Sequence, residues 1–163
     1  MAKLQDIATK LKDGYPIEYF ATQVHQLEKN IYEVSVCIVD VPSETTGMIY
    51  SKDFWRYIIK SKQAIGLNVR FQRDEDYIGT VDSPCGVVKN IWMQNNGIVK
   101  ISFQILQTEN GALLDAMLIK NVSLCFAPSG YGQFILGTNN IIDKDEYELT
   151  HFDVILKKGM WFW

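Results

Sequence analysis

Cysteine is scarce and scattered in this sequence. Cys37, Cys85 and Cys125 are an odd number of thiols set far apart, which argues against a disulfide framework and against any paired-cysteine metal knuckle. Histidine is scarcer still. With His25 and His151 the complete set, a structural zinc site has too few ligands, so no metal is expected. Long apolar runs are missing as well: nothing approaches the roughly 20 residues that span a bilayer, so no membrane partner is expected. The opening "MAKLQDIATKLKDG" alternates charge with apolar residues and lacks the unbroken apolar core of a signal peptide, which predicts a cytosolic protein. Positive charge is not in excess. The net charge is -3, so the chain as a whole has no counterion-release drive toward nucleic acid, and no nucleic-acid partner is expected. No glycine loop is built to cradle a phosphate, and no cofactor is implied. The run Asp74, Glu75, Asp76 reads as a solvated loop, and "DKDEYE" from Asp143 lacks the glycine and the terminal bidentate glutamate of a calcium loop.

What is present is an ordinary globular balance. The 163 residues are 47% apolar and 21% charged, enough for one domain with a sizeable core. Leu4, Ile7, Ala8 and Leu11 recur at helical spacing until Gly14 and Pro16 stop them. "IYEVSVCIVDV" favours a strand, and "PSETTG" a loop. "YSKDFWRYIIKSK" predicts a helix capped by Ser51, with Phe54, Tyr57 and Ile58 on its inner face. "LNVRFQRDEDYIGTVDSPCG" reads as a strand with a long polar excursion. "VVKNIWM", "QNNG" and "IVKISFQIL" form the clearest hairpin, turning at Asn96-Gly97. "TENGALLDAMLIK" predicts a short helix in which Leu113, Leu114, Met117 and Leu118 share a face. "NVSLCFA" then reads as a strand, "PSGYG" as a turn, "QFILG" as its resumption, and "DKDEYELTHFDVIL" as ending in a last strand. The expected fold is α+β: a mostly antiparallel, barrel-like sheet flanked by a few helices.

The stretch "NVSLCFAPSGYG" raises the question of chemistry, because hydrolases often hold a nucleophile where a buried strand enters a Gly-flanked turn. Ser129 could be that nucleophile, but a serine between Pro128 and Gly130 is a common turn residue, and the turn is the expected reading. Ser123 and Cys125 alternate with Val122, Leu124 and Phe126, and read as small buried residues rather than a reactive pair. His151, near Asp153, reads as an exposed strand histidine, and His25 has no evident partner.

Several segments in order resemble the tailed-bacteriophage prohead maturation proteases, serine proteases whose fold is related to herpesvirus assemblin. "GVVKNIWMQNNGIVKISFQILQTENGALLDAML" is similar to the central hairpin and helix of that family, with "ILQTENG" at its "-IL-TP-G" segment. "LCFAPSG", extended by "GYG", stands at the Gly-Val-Ser-x-Arg-Gly motif. "YELTHFDVIL" matches the closing "-feLisfDvV" strand, and "GMIYSKDFWRYIIKSK" the helix before the catalytic region. The likeness runs from Gly47 to Leu156. It implies a single domain over 1–163, in which 1–46 carry a helix and strand, 47–156 form the protease-like core and 157–163 an aromatic tail.

The departures bear on function. Where the family has a histidine within a "Gly-Glu-Leu-x-His-Pro" segment, this sequence reads "IGLNVRFQRDE", placing Arg70 at that position; the serine position falls on Ala127. An alanine offers no nucleophile, and an arginine stays protonated at any working pH. The resemblance therefore implies a phage head-assembly protein with degenerate catalytic positions: a structural capsid or core component, or a regulator of an active protease. Its implied partners are capsid or scaffold proteins and an active prohead protease, with a homo-oligomer also open. Its implied location is the host cytoplasm and then the prohead or virion. Two rival readings stand beside it: a working serine protease with a relocated nucleophile and base, and an unrelated α+β binding module.

The tail "KKGMWFW" is the most unusual composition in the chain. Met160, Trp161, Phe162 and Trp163 offer several hundred Å2 of apolar surface, since an aromatic side chain carries about 150–250 Å2. At about 25 cal/mol per Å2 such an area calls for burial, either in the core or on a partner. The partner is the expected reading, because aromatic and Met side chains are enriched at interfaces. Deleting residues 159–163 should abolish co-assembly with capsid or sister subunits and leave the thermal melt of the remaining domain unchanged; a large fall in melting temperature would show the tail to be core.

Overall fold

The computed structural model describes residues 24–43, 47–72 and 83–156. The expected helix at Leu4–Leu11, the carboxylate run Asp74–Asp76 and the tail Met160–Trp163 lie outside these residues.

The elements in chain order are β1 (His25–Glu28), β2 (Ile31–Ile38), α1 (Lys52–Ser61), β3 (Asn68–Phe71), β4 (Gly86–Met93), β5 (Ile98–Ile105), α2 (Glu109–Ile119), β6 (Leu124–Phe134) and β7 (Ile142–Leu156). The strands form one seven-stranded sheet in the order β1-β2-β5-β4-β3-β7-β6. Every neighbouring pair is antiparallel except β3 and β7, which run parallel. The sheet curls far enough to bring β2 against β6. Inside the curl, Phe103 of β5 meets Phe126 of β6 with ring centroids 5.6 Å apart, and Tyr32 of β2 stacks on Phe103 at 6.1 Å. Offset and tilted ring contacts of this kind add to the area term that drives burial. The fold is thus α+β with a mostly antiparallel, curled sheet and two flanking helices.

Both helices are set by their caps. Ser51 Oγ accepts from the Phe54 N–H at 3.0 Å, as expected, and Thr108 Oγ1 accepts from the Gly111 N–H at 2.9 Å. At the far end of α2, Asn121 takes φ 58°; its N–H reaches the Leu118 carbonyl at 3.2 Å while the Val122 N–H reaches that of Met117 at 3.0 Å. This double bond pattern stops a helix and throws the chain outward, so β6 begins at Leu124 and not at Asn121. The inner faces differ in detail from expectation. Trp55 takes the buried place beside Phe54 and Ile58, and Tyr57 is exposed; in α2, Leu114 and Leu118 are buried but Leu113 is exposed. Neighbouring elements decide which residues of a helical stripe are covered, and periodicity alone does not.

The β4–β5 hairpin forms as expected, by a different turn. Gly97 alone among the loop residues has positive φ (87°), its N–H bonds the Gln94 carbonyl at 3.0 Å, and the Gln94 N–H bonds that of Ile98 at 2.8 Å. The glycine follows the turn as a bulge residue, instead of Asn96 and Gly97 forming its two centre positions.

A larger correction concerns "PSGYG", which is not a turn. β6 runs unbroken through it, paired with β7 from Leu124↔Leu156 to Phe134↔Ile142. β7 has 15 residues, so a partner is available along the whole segment. Pro128 is tolerated because β6 is an edge strand, where a missing N–H can face away from the ladder. Gly130 answers a close approach: a Cβ there would strike the Glu148 carbonyl and the Tyr147 phenol. The expected resumption at "QFILG" is the end of the same strand, with Ile135–Gly137 in the hairpin loop beyond it.

Around α1 the core is aromatic. Phe54 meets Tyr50, Trp55 and Tyr147 at centroid distances of 5.3, 5.0 and 5.6 Å. The Trp55 Nε1–H points at Cys37 Sγ (3.2 Å), and the Tyr50 and Tyr147 hydroxyls are 3.0 Å apart. Gly111 in α2 provides a sharp test of packing. Alanine is ordinarily better than glycine in a helix by about 1 kcal/mol, yet a Cβ here would run into the Leu106 carbonyl oxygen and sit 3.0 Å from that of Cys85. Gly111→Ala should therefore lower the melting temperature, with an overpacking cost of roughly 1–3 kcal/mol. A rise in calorimetry would contradict this packing.

Candidate functional site

Three strands meet where the parallel pair joins the edge of the sheet. In β7, Phe152 and Val154 point into the core, so His151 and Asp153 share the opposite face. Arg70 of β3 lies directly across from Asp153 on one side, and Ala127 of β6 directly across on the other. One row along, Asn68 and Ser129 flank His151 in the same way. Directly opposed residues on neighbouring strands share a face, so these six positions form a two-by-three grid. With strands about 4.8 Å apart, the backbones at Arg70 and Ala127 are separated by about 9.6 Å, two strand spacings.

The register skips Thr150, since Ser129 pairs with His151 and Gly130 with Leu149. A skipped residue of this kind turns onto the face of its neighbour. The Thr150 hydroxyl accordingly lies 2.8 Å from His151 Nδ1 and 3.1 Å from the Ser129 carbonyl. An Arg70 terminal nitrogen is 3.1 Å from the same Nδ1, and His151 Nε2 is 2.8 Å from Asp153 Oδ1. These contacts assign the protons. A guanidinium only donates, so Nδ1 must offer its lone pair; Nε2 then carries the hydrogen and donates to the Asp153 carboxylate. The Thr150 hydroxyl has one hydrogen for two acceptors; an oxygen 2.8 Å from the Nδ1 lone pair needs that hydrogen between them, so it points mainly at Nδ1, with the Ser129 carbonyl at 3.1 Å beside it. The side chains of His151 and Asp153 are 14% and 15% exposed, so the pair is largely withdrawn from water.

His151 is therefore no exposed strand histidine. It is held on both ring nitrogens, and the alternation of Thr150, His151, Phe152 and Asp153 was the available signal: a core phenylalanine between two polar residues puts both on one face. The positions Arg70 and Ala127 come together around Asp153. His25 does not join them; it is exposed on β1, at a sheet edge. Ser129 is a strand residue opposite His151 and not a turn serine, but its part in the network is its backbone carbonyl. Among the described residues, no serine or cysteine hydroxyl or thiol hydrogen-bonds to either histidine; the hydroxyl that reaches His151 is that of Thr150. Cys125 is buried and sits opposite Ile155.

The other thiols are poor nucleophiles. Burial pushes the Cys37 thiol up to about 12, against the hydrogen bond from Trp55, and burial pushes Cys85 up to about 12. Burial also raises Tyr50 and Tyr147, and the Asp153 carboxylate adds to both shifts. Among the described residues, no three His, Cys, Asp or Glu side chains converge as metal ligands, and no helix is long and apolar enough to cross a membrane.

With this geometry in hand, comparison with known proteins is informative. No protein-family model matches the chain, and no curated protein matches it in sequence. A solved structure does match: the bacteriophage T4 capsid assembly protease, gp21, superposes with a TM-score of 0.56 over 78% of this chain and 82% of that one, at 16% identity. The chain shares its fold with that protein. At that identity the likeness is one of fold, and the grid around Asp153 is described from this chain's own residues.

The proton assignment can be checked directly. Long-range 15N–1H correlation spectra should show neutral His151 protonated on Nε2. Protonation on Nδ1 would rule out the Arg70 contact.

Proposed function

We propose that the chain is a phage head-assembly protein built on the capsid-protease scaffold and without peptidase activity. It acts as a structural capsid or core component, or as a regulator of an active protease. The observation that carries the proposal is the row Arg70–Asp153–Ala127. By sequence resemblance Arg70 and Ala127 stand at the histidine and serine positions of prohead proteases, and they flank one carboxylate from either side. A serine protease needs a hydroxyl and a neighbouring neutral base. Here one position carries a methyl group, and the other a guanidinium, which has donors only and no lone pair to take a proton. His151 could serve as a base, but its Nδ1 lone pair faces Arg70 and its Nε2–H is committed to Asp153. The Thr150 hydroxyl reaches the same Nδ1 lone pair that the Arg70 guanidinium already faces. The fold likeness to the T4 capsid assembly protease supports the head-assembly setting. On this reading the protein resides in the host cytoplasm and then in the prohead or virion, with capsid or scaffold proteins as partners and Met160, Trp161, Phe162 and Trp163 as an anchor to them.

Purified protein should take no label from a fluorophosphonate serine-hydrolase probe. It should co-sediment with proheads assembled from the capsid and scaffold proteins of its own phage, and leave both uncut on gels. Labelling lost in Ser129→Ala or Thr150→Ala would establish the relocated-nucleophile alternative. Failure to co-sediment would favour the unrelated binding module.

A further inference from the structure

Beyond the grid, β6 and β7 continue as a hairpin arm. Its loop is held by the Ile135 N–H on the Ile141 carbonyl (2.7 Å) and the Thr138 N–H on the Ile135 carbonyl (2.9 Å). Its return strand is anchored to the body by the Ile142 N–H on the Ile49 carbonyl (2.9 Å). The arm carries a run of exposed apolar side chains: Tyr131, Phe134, Ile135 and Leu136, the last 99% exposed. Single exposed apolar residues are ordinary, but a contiguous set on a fixed hairpin marks an interaction surface. The return strand of the arm is acidic. Asp143, Asp145, Glu146 and Glu148 accompany one cation, Lys144, which is bridged to Asp145 at 3.0 Å.

The complement to this surface lies on the same chain. Lys52, Arg56 and Lys60 recur every four residues along the exposed side of α1, with Lys62 just past its end. Tyr57 and Ile65, 45% and 42% exposed, provide apolar area beside this basic stripe. Its one carboxylate, Asp53, is paired with Arg56 at 3.6 Å. The two patches are also neighbours within a single molecule, since Lys144 Nζ lies over the Tyr57 ring, 5.8 Å from its centroid.

We propose that two copies of this chain associate by reciprocal docking, the β6–β7 arm of each seated on the α1 face of the other. Two adjacent patches of opposite charge, each with an apolar centre, are self-complementary about a two-fold axis: placing arm on helix once places it there twice. Arms stacked on arms would oppose carboxylate to carboxylate, which selects the crossed arrangement. Area favours it as well. A stable interface buries about 800 Å2 per partner, more than a hairpin tip alone supplies, and the reciprocal contact counts both surfaces on each copy. Opposite charges at the rim set register and encounter rate, while the apolar centre holds the complex. This pairing does not depend on the head-assembly reading.

Sedimentation velocity on the full chain over a range of concentration tests it. The wild type should form a dimer that weakens as salt is raised. Leu136→Asp should raise the dimer dissociation constant by at least about tenfold, the effect of losing an interface hot spot, with its melting temperature unchanged. Lys60→Glu/Lys62→Glu and Asp145→Lys/Glu146→Lys should each be monomeric alone, and mixing the two should restore a dimer. A wild type that stays monomeric at every concentration overturns the proposal and leaves the arm to a different protein. A dimer indifferent to Leu136→Asp, or charge-reversed variants that do not rescue one another, overturns it by placing the contact elsewhere.

Discussion

The parallel pairing of β3 with β7 is the constraint on which the rest of the structure depends. It is the one parallel pairing between the described strands, and it joins Asn68–Phe71 to the last of them. Because β7 also pairs with β6 over its length, two positions remote in sequence, 70 and 127, arrive on either side of Asp153. The same strand contributes Tyr147 to the aromatic cluster under α1, and Phe152 and Val154 to the core. Its length decides the rest: a shorter β7 would have left "PSGYG" without a partner and free to turn.

The polar grid is held by chemistry as well as by register. Arg70, His151 and Asp153 are linked donor to acceptor, and hydrogen bonds involving a charged partner contribute about 1.5–3 kcal/mol each. His151 stands between a cation and an anion that form no ion pair of their own. The hydrogen bonds of this frame need the histidine, the carboxylate and a donor, and not a reactive hydroxyl.

Much of the fold was legible in the sequence. The Ser51 cap, the β4–β5 hairpin, the strand at Ile31–Ile38 and the closing strand through Phe152 all follow from caps, turn residues and β-branched runs. The site was legible only in part. Arg70 and Ala127 were singled out by family resemblance; their meeting at Asp153 depends on a parallel pairing across more than eighty residues of sequence, which no local signal encodes. His151 was misjudged because a histidine in a terminal strand is usually exposed, and Thr150 was missed because its contact requires a bulge. The glycines at 130 and 132 carry the same sequence signal whether they make a turn or make room for a neighbouring strand; the partner strand decides.

We propose that Arg70 and Ala127 stand where a serine protease of this fold would carry its histidine and serine, on either side of Asp153. The most direct measurement installs those two residues. Arg70→His and Ala127→Ser should be made singly and together, and each protein treated with a fluorophosphonate probe and mapped by mass spectrometry. The account predicts an adduct at position 127 in the double variant, and none in the wild type. A double variant that melts like the wild type yet stays unlabelled, or a wild type that labels on its own, would contradict it.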